Sequence, residues 1–268
     1  MTGLLRSQYG TAVRFALVDQ VRNRMAMVLL IVFVPLWFLV IRAVTTHDMV
    51  SFHLRAAGRT ISVDGAHLTV ITAGLNALTL IVGFMFFAAA RREIGFERRL
   101  VGAGYPRSVL LLAKFTTLLA TAVVVSLYAS LVMLFFWWRP VDFGAIYVAF
   151  FLDSLIYGSF GLMLGVLVQD ELEGFFVIIM TSLSDTFLQN PIGNPTANKL
   201  VVAFFPSFGS MQFGVDGAFT GSLPWAYTGI SLAWIACLTA ATLVIFAWKT
   251  RSPGIKRLSH HVIPARSV

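Results

Sequence analysis

Residues 68–90 read LTVITAGLNALTLIVGFMFFAAA, and residues 91–114 continue RREIGFERRLVGAGYPRSVLLLAK. The first stretch has no charged residue over 23 positions. As a helix it covers about 34 Å at 1.5 Å per residue, enough for a bilayer core of about 30 Å. The second opens with two arginines and holds four within nine residues, which places it in water or at a headgroup surface. The boundary at Ala90–Arg91 therefore reads as the end of a membrane crossing, and the whole chain repeats the pattern.

Hydrophobic residues make up 58% of the 268 and charged residues 12%, with a mean hydropathy of +0.83. A soluble chain is about half apolar and about a quarter charged. Low charge and high apolar content exclude intrinsic disorder. The single cysteine, Cys237, excludes a disulfide framework. The expected class is an all-α membrane protein. Spans are expected at 25–44, 68–90, 112–138, 143–168 and 223–248, with a short sixth block at 174–188 that contains Asp185.

Loop charge sets the orientation. Fourteen of the 20 basic residues fall in the first 24 residues, in 91–107 and in the tail 249–268. The positive-inside rule puts all three in the cytoplasm, so the number of crossings is even. Six spans result, and the apolar stretch Leu200–Gly214, broken by Pro206, does not cross. Residues 189–198 (QNPIGNPTAN) break the chain at membrane depth, which requires a protein or water-filled surround. Outer re-entrant helices between spans five and six are the expected form. The +8 net charge follows from the loop bias, and no nucleic-acid motif competes with it.

Residues 1–24 carry no apolar run before Met25 and do not read as a cleavable signal. Leu5, Tyr9, Ala12, Val13, Ala16 and Leu17 recur with helical spacing, flanked by Arg6, Arg14 and Arg22. An interfacial helix with snorkelling arginines fits this pattern.

In 91–114, Glu93, Glu97, Arg98 and Arg99 form a short charged helix with Ile94, Phe96, Leu100 and Val101 as its apolar contacts. Gly102 and Gly104 end it, and Pro106 turns the chain into the next helix. The segment resembles the cytoplasmic loop of the ABC-2 (type-2) ABC transporter permeases. Those carry R-E-x-G-x-x-x-x-L, a turn with proline, and a lysine early in the third helix. Arg92, Glu93, Gly95, Leu100, Pro106 and Lys114 occupy these positions, while Phe96 stands where a small polar residue is commoner.

The resemblance implies that Arg91, Arg92, Glu93, Gly95, Phe96, Glu97, Arg98, Arg99 and Leu100 form a coupling helix docked on a separate nucleotide-binding ATPase. Two ATPase subunits, carrying ATP and Mg, would serve two permease chains, identical or paralogous, in the plasma membrane. No Gly-Lys pair occurs in this chain, so it has no P-loop of its own and no cofactor is expected on it.

The acidic inner loop Asp170, Glu171 and Glu173 is a second candidate ATPase contact. Acids inside spans are functional candidates by default, which singles out Asp153 and Asp185. With Phe84, Phe87, Phe176 and Phe187 they mark a possible substrate path. Gly161-x-x-x-Gly165 reads as a close-packing motif. His47, His53 and His67 in the first outer loop match no zinc spacing, so no metal is expected. Spans rich in phenylalanine, with Arg42 and Lys114 only at their ends, suit an apolar or amphipathic cargo such as a lipid, lipid-linked molecule or hydrophobic drug. The alternative is an ion-coupled secondary transporter, which should show inverted repeats; none is evident.

Overall fold

The computed structural model describes residues 2–136, 140, 142–194, 196–197 and 199–250. The end of the expected third span at 137–138, and the basic tail from Arg251, lie outside these residues. Helix α1 (Thr2–Arg22) leads into α2 (Arg24–Val28), a π-helical turn (Leu29–Phe33) and α3 (Val34–Val44). A hairpin of β1 (Met49–Leu54) and β2 (Arg59–Asp64) precedes α4 (Gly65–Gly102), α5 (Arg107–Phe136), α6 (Phe143–Leu167) and α7 (Glu171–Gln189). A 3₁₀ turn (Leu200–Phe204), α8 (Phe208–Thr220) and α9 (Trp225–Lys249) complete the fold. The architecture is all-α apart from the one hairpin.

Among the described residues, five helical stretches are long and apolar enough to cross a membrane: Ala26–Val44, Gly65–Gly102, Arg107–Phe136, Phe143–Leu167 and Trp225–Lys249. They are compatible with a multi-pass membrane protein. The block 174–188, expected as a short further span, is not among these five; it lies within α7, which starts earlier because Asp170 caps it by accepting from the Leu172 amide at 2.8 Å. Glu171 and Glu173 in its first turn complement the helix dipole.

Helix α4 is the axis of the molecule. Its apolar two-thirds is almost wholly buried, packed most extensively on α6. Glycines set the closeness of that contact. A Cβ on Gly161 would collide with the Gly83 carbonyl oxygen, and one on Gly165 would lie 2.6 Å from the Phe87 carbonyl oxygen. Gly161-x-x-x-Gly165 is thus a packing motif, as expected.

Contacts along α4 give the directions of its neighbours. Gly74 meets Phe150 and Gly83 meets Tyr157, so α6 runs parallel to α4. Gly174 meets Phe87, Ile178 meets Gly83, and Ser182 bonds Asn76, so α7 runs antiparallel to it over the same depth. Phe87 is covered by Phe175 and Gly174.

The π-helical turn between α2 and α3 has a local cause. Pro35 has no amide hydrogen, which frees the Ile31 carbonyl one turn earlier. The Tyr128 hydroxyl on α5 donates to that carbonyl at 2.9 Å, within the π-helical turn. At one end of the molecule, Arg42 donates to the Phe136 carbonyl at the close of α5. At the other, Arg91 donates to the Gln169 carbonyl, and Lys249 to the Val166 and Leu167 carbonyls at 2.6 and 2.9 Å. Basic side chains here cap the exposed carbonyls of helix ends.

Helix α1 lies along α5, with Tyr9 Oη 2.6 Å from Thr116 Oγ1 and the Tyr105 hydroxyl donating to the Gln8 carbonyl at 2.9 Å. Of the predicted face, Tyr9, Ala12, Val13, Ala16 and Leu17 turn inward beside the buried Gln20, and the side chain of Leu5 lies outside the described residues. Phe15, Val18 and Val21 on the other side are exposed.

The segment before α9 folds back on the bundle. A 3₁₀ turn leads to α8, which continues past the expected end at Gly214 to Thr220. Gly221 stops it in a left-handed conformation at φ +74°. Ser210 bonds Asp153, while Gly214 and Gly217 face Ala149 and Ala145. Helix α8 therefore runs from the middle of α6 back to its start. Its 13 residues are too few to cross a bilayer.

Candidate functional site

The arginine-rich end is built on α4. The helix runs through Gly95 without interruption from Ala90 to Gly102, so the expected short charged helix is no separate element. It is the last third of α4. Gly102 ends it, Gly104 turns the chain at φ +92°, and the Tyr105 amide returns to the Leu100 carbonyl at 2.9 Å.

This extension is pinned by one buried cation. Lys114 on α5 is 6% exposed. Its Nζ donates to Glu93 Oε2 at 2.6 Å and lies 3.1 Å from Glu97 Oε1. Glu97 is itself 5% exposed. Glu93 thus pairs with the following helix and not with the arginines around it. Arg92 reaches back to Asp19 of α1 at 3.2 Å, and Arg91 stands over the Phe87 ring and bonds Gln169. The expected coupling residues and the acidic loop 170–173 therefore share one end of the molecule.

What remains outward is specific. Arg92, Gly95, Phe96, Arg98 and Arg99 are exposed, and Phe96 shows 63% of its surface. A Cβ added at Gly95 would meet nothing within 4 Å. Beside this face a cleft of ≈620 Å³ opens between α1, α4 and α5, with Phe15, Asp19, Glu93, Phe96 and Lys114 on its walls.

The second constellation is internal. Asp153 on α6 and Asp185 on α7 are fully buried. Asp185 accepts from the Tyr157 hydroxyl at 2.9 Å, the Ser207 amide at 2.9 Å and the Gln189 side-chain amide. Asp153 accepts from the Ser210 hydroxyl at 3.1 Å. Sequence reading placed the two acids on separate helices. Their approach through the start of α8 depends on the folded-back segment and has no local signal.

The six residues expected along a substrate path do not form one surface. Phe87, Asp153 and Asp185 are fully buried, and Phe84 stacks edge-on against Phe175. Phe176 and Phe187, each 61% exposed, point away from the bundle along with Leu172, Met180 and Leu183. The physical reason is the α4–α7 contact, which consumes Phe87 and turns the opposite stripe of α7 outward.

At the hairpin end, Asp64 caps α4 through the Ala66 amide at 2.8 Å and pairs with His47 at 2.8 Å. His67 Nδ1 lies 3.8 Å from the same carboxylate. Burial pushes the Asp64 carboxyl upward, but the His47 hydrogen bond, the Ala66 amide and the two histidine charges outweigh it and leave it below its ordinary value. Among the described residues no group of three or more His, Cys, Asp or Glu side chains is arranged to hold a metal ion. The chain matches no protein-family model and no curated protein sequence.

Proposed function

We propose that the chain is the membrane permease subunit of an ATP-driven exporter of the ABC-2 kind, with nucleotide hydrolysis on separate ATPase subunits and a second permease chain completing the transporter. The observation that carries this reading is the end of α4. An exposed phenylalanine amid arginines sits on a helix continuous with the core and locked to the next helix by Lys114. Such a face is unsuited to water alone and well suited to a groove on a partner, and motion imposed on it passes directly into α4 and α5.

In this reading α7 is the fifth of six crossings. Its 19 residues cover about 28 Å, and it lies antiparallel to α4. The 3₁₀ turn and α8 are the re-entrant segment on the outer side, α1 is interfacial, and both termini are cytoplasmic in the plasma membrane. The exposed apolar stripe of α7 suits contact with lipid, with the second permease or with an apolar or amphipathic cargo.

Co-purification tests the reading. The full chain should retain a nucleotide-binding subunit from its native membrane, and Phe96→Asp should abolish retention without lowering the chain's own melting temperature. ATP-driven transport should require both components. Transport by the chain alone in liposomes, driven by an ion gradient without nucleotide, would overturn it in favour of a secondary transporter. That second reading draws on the buried acid pair.

A further inference from the structure

Asp153 and Asp185 lie where water does not reach, and the exporter reading assigns them no task. Their hydrogen bonds are unequal. Asp185 accepts from three donors on three elements, the environment of a charged carboxylate. Asp153 accepts one bond on Oδ1, and its Oδ2 has no donor among the described residues. The Ser207 hydroxyl is placed to donate to either acid and, with one hydrogen, can serve only one at a time, while Gln189 Oε1 has no donor among the described residues.

Among the described residues, none of the groups acting on the pair is a cation. The groups acting on Asp153 are Asp185, Ser207 and Ser210. Asp185 is bonded by Ser207, Tyr157 and Gln189. The packed helices place their charges elsewhere. Lys114 on α5 is level with Leu162, about 13 Å further along α6. Asp216 on α8 is taken up by Thr220 and Ser222 near its far end. From α4 come only the neutral Asn76 and Thr79, bonded to Ser182. From α9 comes the hydroxyl of Ser231, against Gly209. Two close carboxylates in such a core do not both stay ionised without an added positive charge.

The geometry selects the kind of charge. A metal ion such as Mg²⁺ or Ca²⁺ needs about six or more converging oxygens. Both Asp185 oxygens are already occupied by donors, which leaves a single open carboxylate oxygen, Asp153 Oδ2. One open oxygen beside a hydroxyl suits a proton.

There is also a route. Gln189, bonded to Asp185, lines a cavity of ≈310 Å³ beneath the hairpin with Ser51, His53, Pro191 and Gln212. Tyr157, bonded to the same carboxylate, lines a second cavity of ≈310 Å³ with Phe160, Phe205, Pro206 and Trp234. One side chain separates the acids from each. The first cavity carries the polar lining suited to water, and the second is mostly apolar.

We propose that Asp153 and Asp185 jointly hold one exchangeable proton, carried on Asp153 Oδ2 and taken from water in the hairpin-end cavity past Gln189. Uptake forms one O–H bond and neutralises one carboxylate. Release at higher pH returns the proton to the same cavity and forces an unfavourable second charge on the pair, a strain that weakens the hold of α6 and α7 on the start of α8. The occupancy of this site therefore sets how firmly the folded-back segment is seated.

Difference infrared spectroscopy tests this on the full chain in lipid nanodiscs without nucleotide, so the result is independent of any ATPase partner. A neutral-acid C=O band should appear and titrate as one proton. It should shift on ¹³C-aspartate labelling, which assigns it without substitution, and vanish in Asp153→Asn. Its hydrogen–deuterium exchange should slow several-fold in Gln189→Leu. Absence of the band at every pH where the chain stays folded would overturn the proposal. So would a band unmoved by pH and deuterium, since the proton would then be locked. Loss of the band on adding Na⁺ or K⁺ at constant pH would assign the site to a metal cation instead.

Discussion

Replacing Lys114 with Met removes the one cation that faces two carboxylates at 2.6 and 3.1 Å. The methionine fills most of the volume left by the lysine stem, so packing loss is small and the charge effect dominates. Glu93 is partly exposed and turns to water. Glu97 cannot, because it is 5% exposed and held on the inward face of α4. Stranding one member of a buried pair costs about 3–5 kcal/mol. At roughly 2–4 °C per kcal/mol, the melting temperature of the detergent-purified chain should fall by roughly 6–20 °C. Lys114→Met combined with Glu97→Gln removes the stranded charge and should recover more than half of the loss. That non-additivity separates charge from packing. A single variant that melts like the wild type, or a double variant no better than the single, would refute the reasoning.

Gly161→Leu drives a side chain into the Gly83 backbone, which has nowhere to move. A loss of about 1–3 kcal/mol or more, read as a lower melting temperature and reduced yield, is expected, whereas Gly95→Ala, in open space, should melt like the wild type. Asp64→Ala removes the α4 cap and the His47 tie, costing about 0.5–2 kcal/mol, and should speed proteolytic cleavage in the hairpin. Because the Asp64 carboxyl is held below its ordinary value, the stability it contributes is complete above the ordinary carboxylate range and is lost as pH falls through the lower folded value. A melting curve for Asp64→Ala that parallels the wild type down through that range would contradict this. Phe96→Asp should leave the melt unchanged, since 63% of the side chain is already in water, and abolish retention of the ATPase.

The long apolar blocks were legible because a run of uncharged residues has few ways to fold in lipid. The inward face of α1 was legible for the same reason that periodicity works: one face, one neighbour. Four features escaped. The hairpin alternates from Val50 to Leu54 and again from Thr60 to Asp64 across Gly58, a β pattern hidden among charges in a loop of a helical protein. The continuity of α4 was masked by reading Arg91 as an end, although charge marks where lipid stops and not where a helix does. The Lys114–Glu97 pair and the meeting of Asp153 with Asp185 are tertiary facts. They bring together residues from different helices, and no spacing rule reports them.

The unbroken length of α4 gives the molecule a mechanical property. Its 38 residues make a rod of about 57 Å, and the tightest contact, where Gly161 and Gly165 meet the Gly83–Phe87 backbone, falls near its middle. Such a rod pivots where its neighbour is closest. The arms are about 30 Å toward the hairpin and about 25 Å toward Gly102, so a tilt of about 10° moves the two tips about 5 Å and about 4 Å in opposite directions. The hairpin, joined to the rod through Asp64 and Gly65, travels with the upper tip. Phe96 lies about 16 Å from the pivot, so a push applied there is a displacement roughly twice as large and opposite in sense at the far face.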